Sequence, residues 1–270
     1  MELKISMAEK KYQYIYGPVS SWRLGVSLGI DPISQKDKIC TFDCPYCQLG
    51  KTEKFSAERK IFVPTKAILE EIKSVPPSGI DYITFSGSGE PTLAKNLGDL
   101  IRGIQKFRNE KIAVITNSSL IGRTDVQEDL MLADLILAKL DACSHDVFRA
   151  ISQPMQGIRF NQLVKDIKEF RLKFKQRFAL QIMFAPVNQK YTQEIAQLAR
   201  EINPHEIQIN TPLRPCGVRP LSEDEIRDIV NCFRKICGDR MMIANVYEAS
   251  RKETLPLDSE DTIRRRGDQQ

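Results

Sequence analysis

One pattern restricts this chain more than any other: a short apolar strand followed by an amphipathic helix, repeated along most of its 270 residues. Leu24 to Ile30, Tyr82 to Ser86, Ile112 to Asn117, Leu135 to Asp141, Phe178 to Phe184 and Glu206 to Asn210 are apolar or alternating runs that end in turn or polar residues, as strands do. Between them, apolar residues recur at the helical period. Ile68, Leu69 and Ile72 stripe one helix, Leu97, Leu100, Ile101 and Ile104 a second, and Phe160, Leu163, Val164, Ile167 and Phe170 a longer third. Ser222 and Glu225 form a Ser-x-x-Glu capping box ahead of a fourth stripe, Ile226, Ile229, Val230 and Phe233. Strand–helix units in series imply parallel strands joined by right-handed crossovers. Such an α/β sheet is either open and doubly wound or curled into a full or partial barrel, and strand order is not readable from one sequence. Met241 to Val246 offers one more strand, and the chain from Glu248 onward reads as irregular.

Composition narrows the class. Hydrophobic residues make up 41% and charged residues 28%, enough for a full globular core. The formal net charge of +5 permits an RNA, nucleotide or other anionic partner without requiring one. The densest basic cluster, Arg264, Arg265 and Arg266, reads as a frayed polar tail. No run approaches the roughly 18 apolar residues that span a bilayer, and Met1 to Tyr14 lacks an apolar signal region. The expectation is a cytoplasmic protein without membrane contact. Seven cysteines, three of them within eight residues, then argue for metal binding over disulfides.

Those three form Cys40-Thr-Phe-Asp-Cys44-Pro-Tyr-Cys47, a C-x3-C-x2-C run that follows the first strand by a loop. Three thiolates at this spacing can cap three corners of a cubane iron–sulfur cluster. No fourth cysteine lies nearby, so one iron stays open to a substrate atom. A structural zinc site normally takes four Cys or His ligands, and the two histidines, His145 and His205, are far along the chain. The remaining alternative is plain core placement of the thiols, with Phe42 and Tyr46 as core aromatics.

The triad, with aromatic Tyr46 before its last cysteine, resembles the signature of the radical S-adenosylmethionine (SAM) superfamily. Phe85-Ser-Gly87-Ser88-Gly89-Glu90-Pro91-Thr92 is similar to that family's Gly-Gly-Glu motif, here with a serine between the glycines. Glycines allow close approach of backbone to ligand, and Glu90 can balance an ammonium. Thr116-Asn117-Ser118 and Lys139-Leu140-Asp141 resemble the family's ribose and carboxylate contacts, with Asn117 for a ribose hydroxyl, Lys139 for the cofactor carboxylate and Gln181 as a lesser candidate. The resemblance implies that Tyr46 lies beside the adenine. It also implies a [4Fe–4S] cluster on Cys40, Cys44 and Cys47 and SAM as second cofactor. The fold it implies is a partial (β/α)6 TIM-like barrel with parallel strands over residues 23–247, after an N-terminal extension (1–22) and before an irregular tail (248–270).

The likeness spans about residues 18 to 215. The opening Tyr16 to Asp31, the cysteine run with Gln48-Leu-Gly50, and Gly87-Ser-Gly-Glu-Pro-Thr-Leu93 are similar to the branch grouped with wyosine-tRNA synthases. Wyosine synthases carry extra N-terminal cysteines for a second cluster; none precedes Cys40, so that activity is not assigned. The implied chemistry is reductive cleavage of SAM to a 5′-deoxyadenosyl radical, which takes hydrogen from a substrate such as an RNA base or a small molecule. The electron would come from a one-electron reductant such as flavodoxin or ferredoxin. No catalytic residue is nominated beyond the cofactor contacts.

Two other functions stay open. A glycyl-radical-enzyme activase shares the cysteine spacing and the Gly-x-Gly-Glu-Pro turn, although the ferredoxin-like cysteines such activases often carry are absent. A non-catalytic Fe–S electron carrier or sensor needs no such turn. Cys143 and Cys216 follow the fourth and sixth strands and are candidates for an auxiliary cluster or a hydrogen-donating thiol. Cys232 and Cys237 read as part of an apolar helix face. Arg214 is placed to bind an anionic group or to form a surface ion pair.

Overall fold

The computed structural model describes residues 12–76, 79–239, 241–250, 252–257 and 259–266. In chain order the strands are β1 (Ile15–Ser21), β2 (Gly25–Ile30), β3 (Ile39–Cys40), β4 (Lys54–Phe55), β5 (Tyr82–Phe85), β6 (Lys111–Thr116), β7 (Leu135–Lys139), β8 (Arg177–Met183), β9 (Glu206–Asn210) and β10 (Met242–Asn245). The helices are α1 (Thr65–Lys73), α2 (Leu97–Gln105), α3 (Thr124–Leu130), α4 (His145–Ser152), α5 (Phe160–Lys173), α6 (Thr192–Ile202), α7 (Glu223–Cys237) and α8 (Ser259–Arg266). Eight strands form one sheet in the order β1-β2-β5-β6-β7-β8-β9-β10, curled into a half-barrel, while β3 and β4 pair apart from it. From β2 to β10 every pairing is parallel.

All six expected strands are present, and the sheet carries one more at each edge. β10 extends the parallel set beside β9. β1 pairs antiparallel with β2 and lies within the stretch expected to be an extension. Pro18 hid it, because proline inside an apolar run weakens a strand reading. The register slips between Tyr16 and Val19, so Pro18 sits in a bulge of an edge strand, where no ladder bond is lost.

The tail also differs from expectation. After β10 it returns to the far edge: Leu257 N donates to Gly17 O at 2.6 Å, and Gly17 N donates to Thr262 Oγ1 at 3.0 Å. Thr262 belongs to α8, a short polar helix with no apolar stripe to announce it. The side chains of Arg264, Arg265 and Arg266 lie outside the described residues. Among the described residues no helix is long and apolar enough to cross a membrane.

Alternation along each strand makes two interiors. The outward faces, such as Ile136 and Ala138 of β7 or Phe178, Leu180 and Ile182 of β8, pack with the helices into the large core. Leu100, Ile101 and Ile104 of α2 and Ile226, Ile229, Val230 and Phe233 of α7 are buried there, as their spacing requires. The inward faces, with Leu24 from the β1–β2 turn, build a small second core of Leu24, Ala113, Leu135, Leu137 and Ala179. Toward the strands' C-terminal ends the inward residues turn polar: Leu137 is followed by Lys139, Ala179 by Gln181 and Ile115 by Asn117. The apolar residues plug the floor, and the polar ones ring a cavity above it.

Candidate active site

The cavity measures about 290 Å3 and opens where the parallel strands end. Cys40, Cys44 and Cys47 line it, Cys40 at the end of β3 and the other two on the loop that follows. That loop is wound by two turn bonds, Cys47 N to Cys44 O at 2.9 Å and Gly50 N to Cys47 O at 3.0 Å. It is anchored by Asp43 N to Ser152 O at 3.1 Å and by Thr52 N to Asp43 Oδ1 at 2.6 Å. Phe42 packs edge-on against Phe148 of α4, with ring centroids 5.3 Å apart, so this residue is a true core aromatic.

Burial raises the Cys40 thiol to about 11, with the charge of Glu90 adding to it, and burial pushes Cys44 up to about 12. Such thiols ionise only when a cation replaces the proton, as metal coordination does. Among the described residues no three His, Cys, Asp or Glu side chains are gathered tightly enough to hold one metal ion. A mononuclear zinc site needs that convergence, with each sulfur about 2.3 Å from one ion. A cubane cluster takes each thiolate on a different iron, and three thiols line this void.

The glycine turn after β5 is sewn to this loop. Glu90 N donates to Ile39 O at 3.2 Å, and a Cβ on Gly89 would stand 2.1 Å from that same oxygen, so only glycine fits. Gly87, at φ +138°, passes so close to Asp31 that a Cβ would meet its carboxyl carbon at 2.4 Å. Asp31 in turn takes Ser88 N at 3.1 Å and Ser88 Oγ at 2.7 Å. Ser88 alone among the expected contacts does not line the cavity; its side chain braces the turn from behind.

Glu90 lines the cavity and also organises the strand ends. Its Oε1 accepts Thr92 N (3.1 Å), Thr92 Oγ1 (2.7 Å) and Thr116 Oγ1 (2.6 Å), and its Oε2 accepts Asn117 N (2.7 Å). Burial pushes its carboxyl above the usual range, against these hydrogen bonds. Asn117 Nδ2 donates to Thr41 Oγ1 at 2.7 Å and lies 3.5 Å from Cys40 Sγ, so this amide serves the cysteine loop as well as the cavity.

Lys139, Gln181 and Tyr46 meet at one wall. Lys139 pairs with Gln181 across β7 and β8. Its Nζ lies 4.4 Å from the centre of the Tyr46 ring and 3.7 Å from Asp141 Oδ2. Tyr46 OH donates to Asp141 Oδ2, and Asp141 Oδ1 accepts Met183 N at 2.7 Å. Burial, then the Asp141 charge, push the Tyr46 phenol well above its ordinary value, which keeps it a donor. Gln181 is 3% exposed and its Nε2 has no partner. A buried donor without an acceptor costs about 1–3 kcal/mol, so this amide is set for a ligand.

Two carboxylates here escaped the site residues nominated from sequence. Asp141 ties the cysteine loop to β8, and Asp31 braces the glycine turn. Their only sequence signal is an acid at a strand's C-terminal end, in Lys139-Leu-Asp141 and Gly29-Ile-Asp31. Cys143 and Cys216 do not line the cavity, and Cys237 is half-buried with its Sγ donating to Ala196 O at 3.6 Å.

The Radical SAM superfamily model matches residues 38–199, a stretch that contains the cysteine loop, the glycine turn, Asn117, Lys139 and Gln181. The chain belongs to that superfamily. It is 43% identical over 211 residues to UPF0026 protein slr1464 of Synechocystis, covering 78% of each chain. It is 36% identical over 234 residues to UPF0026 protein MJ1312 of Methanocaldococcus jannaschii, covering 83% of this chain and 72% of that one. Among solved structures, SuiB of Streptococcus suis, crystallised with S-adenosylmethionine, superposes with a TM-score of 0.61 at 14% identity, over 78% of this chain and 48% of that one. That likeness shows the half-barrel fold. The protein is therefore a radical SAM enzyme, and its family implies SAM and a [4Fe–4S] cluster. The donor set fits both: three thiols and an unpartnered buried amide share one void with a lysine and a glycine turn open to backbone contact.

Proposed function

We propose that Cys40, Cys44 and Cys47 hold a [4Fe–4S] cluster beside SAM in this cavity, and that the enzyme abstracts hydrogen from a substrate such as an RNA base or a small molecule. When bound and reduced, the cluster would supply the one electron needed for reductive cleavage of SAM. The chain's own residues bind and orient. Lys139 meets the methionine carboxylate, and the backbone of Gly87 to Gly89 meets the ammonium with the charge of Glu90 behind it. Gln181 Nε2 donates to the cofactor, Asn117 serves the ribose, and Tyr46 flanks the adenine. Asp141 fixes Tyr46 and Lys139 in these positions. The apolar floor excludes water from below. A one-electron reductant such as flavodoxin or ferredoxin in the cytoplasm completes the cycle.

One observation carries this reading: the Ile39–Gly89 bridge holds the cysteine loop and the glycine turn at the rim of the same cavity. The test is anaerobic reconstitution, reduction with dithionite and assay of 5′-deoxyadenosine. An enzyme releases it at a slow uncoupled rate even without substrate. An electron carrier or sensor releases none, and that result rejects the proposal. A glycyl-radical activase would release it too, and would also generate a glycyl radical signal in a protein partner.

A further inference from the structure

The cofactor contacts above leave one buried cation of the cavity without a role. Lys38 opens the cysteine segment just before Ile39 and Cys40, and it lines the cavity together with the three thiols. Its side chain is only 6% exposed. Lysine is rarely buried so far without a partner, because burial disfavours its charged form. Here Nζ donates to Gly50 O at 2.8 Å and lies 3.8 Å from Asp43 Oδ1. Asp43 is itself mostly buried and accepts Thr52 N. By reaching Gly50, Lys38 closes the segment that contains Cys40, Cys44 and Cys47.

Gly50 O does not by itself call for a lysine. A neutral amide could donate to it without the cost of burying a charge. What the ammonium adds is its charge, and that charge reaches the ligands. Burial and the Glu90 charge hold the Cys40 thiol neutral, while the Phe42 N–H and the Lys38 charge favour its thiolate. Burial opposes ionisation of Cys44 as well, and there Lys139 supplies the favourable charge. Lys139 is paired with Asp141 at the far wall, so Lys38 is the cation of the Cys40 side. Three bound thiolates make a cluster anionic, and reduction adds one more electron. A nearby cation therefore favours the reduced form, and a nearby carboxylate favours the oxidised one. Lys38 and Asp43 offset each other in this respect, so removing either leaves the other uncompensated.

We propose that Lys38 raises the reduction potential of the cluster on Cys40, Cys44 and Cys47, with Asp43 as the counter-charge that limits the rise. This role rests on the radical SAM reading of the cavity.

The test is potentiometric reduction of anaerobically reconstituted protein without SAM, followed by electron paramagnetic resonance, with iron counted in every sample. Lys38→Gln keeps a donor for Gly50 O and removes the charge. It should disfavour reduction about tenfold, which lowers a one-electron potential by about 59 mV. Lys38→Arg keeps the charge and should stay within about threefold of wild type. Asp43→Asn keeps an acceptor for Thr52 N and leaves Lys38 uncompensated. It should favour reduction about threefold, a smaller change because Asp43 is the more exposed and better screened of the two. A loosened loop would move Lys38→Gln and Asp43→Asn in the same direction, whereas charge moves them in opposite directions. Shifts of the same sign, or a Lys38→Gln potential equal to that of wild type, overturn the proposal. If Lys38→Gln takes up no cluster, Asp43→Asn decides: a raised potential upholds the proposal, and an equal or lowered one overturns it. A wild type without about four irons overturns the radical SAM reading and this proposal together. A four-iron wild type whose variants keep its potential overturns this proposal alone.

Discussion

The floor and the mouth of the half-barrel are built from the same strands and solve opposite problems. At the floor, Leu24, Ala113, Leu135, Leu137 and Ala179 close on one another, and the carboxylates near the strands' N-terminal ends are consumed by the fold. Asp134 Oδ2 takes Ile112 N at 2.8 Å, Asp81 Oδ2 takes Val26 N at 2.8 Å, and Glu206 holds Arg177. At the mouth, a few residues further along, polar side chains point at a void. Gln181 Nε2 is left without a partner there, and burial keeps the Cys40 and Cys44 thiols neutral. Completed bonds at one end give stability, and incomplete ones at the other give a place for a ligand.

That contrast can be broken by substitution. The largest effect should come from the floor. Leu137→Ala removes a fully buried side chain from the small inner core and should cost about 2–5 kcal/mol in denaturant unfolding. A loss below about 1 kcal/mol would mean that the inner core does not hold the barrel.

Gly89→Ala acts at the seam. Its Cβ cannot coexist with Ile39 O, so the cysteine loop and glycine turn must part. The expected result is reconstituted protein with much less bound iron and weaker SAM binding, in a fold whose far-ultraviolet dichroism is retained. Full iron content in Gly89→Ala would refute the coupling between the two segments.

Gln181→Leu sharpens the comparison, because it should separate stability from binding. Removing an unpartnered buried amide should leave stability unchanged or raise it by up to about 1 kcal/mol. SAM affinity should fall about tenfold by calorimetry. A stability loss comparable to that of Leu137→Ala would make Gln181 part of the core.

The smallest effect lies outside both regions. Glu225 closes the capping box of α7, and hydrogen bonds from Arg219, then from Ser222 N, hold its carboxyl near 2, below the ordinary value of about 4.3. A lowered carboxyl pKa stabilises the fold above the unfolded value and ceases to do so as pH falls through about 2. The melting temperatures of wild type and Glu225→Gln should therefore differ slightly at pH 6 and converge toward pH 2. A constant difference would place the effect elsewhere.

The two regions were also unequally legible in the sequence. The outward faces of β5 to β9 announce themselves because apolar runs bounded by polar residues leave little choice. β1 does not, since Gly17-Pro18 interrupts its run and only a bulge at the sheet edge accommodates it. The cysteines, Gly87, Gly89 and Lys139 were legible as motifs, and all line the cavity. Ser88 belongs to the same motif but faces Asp31, because a turn with alternating sides points its residues in different directions. Asp31 and Asp141 were not nominated: an acid at a strand end means nothing until partners distant in sequence, Ser88 for Asp31 and Tyr46 for Asp141, are in place. Whether an amide such as Gln181 finds a partner likewise depends on neighbours from other strands.

The most direct test of the central claim is iron and sulfide analysis of anaerobically reconstituted protein, joined to electron paramagnetic resonance with and without SAM. The account predicts about four irons and four sulfides per chain, a signal that changes when SAM is added, and loss of both in Cys44→Ala. A single bound metal ion, or a full cluster whose signal ignores SAM, would contradict it.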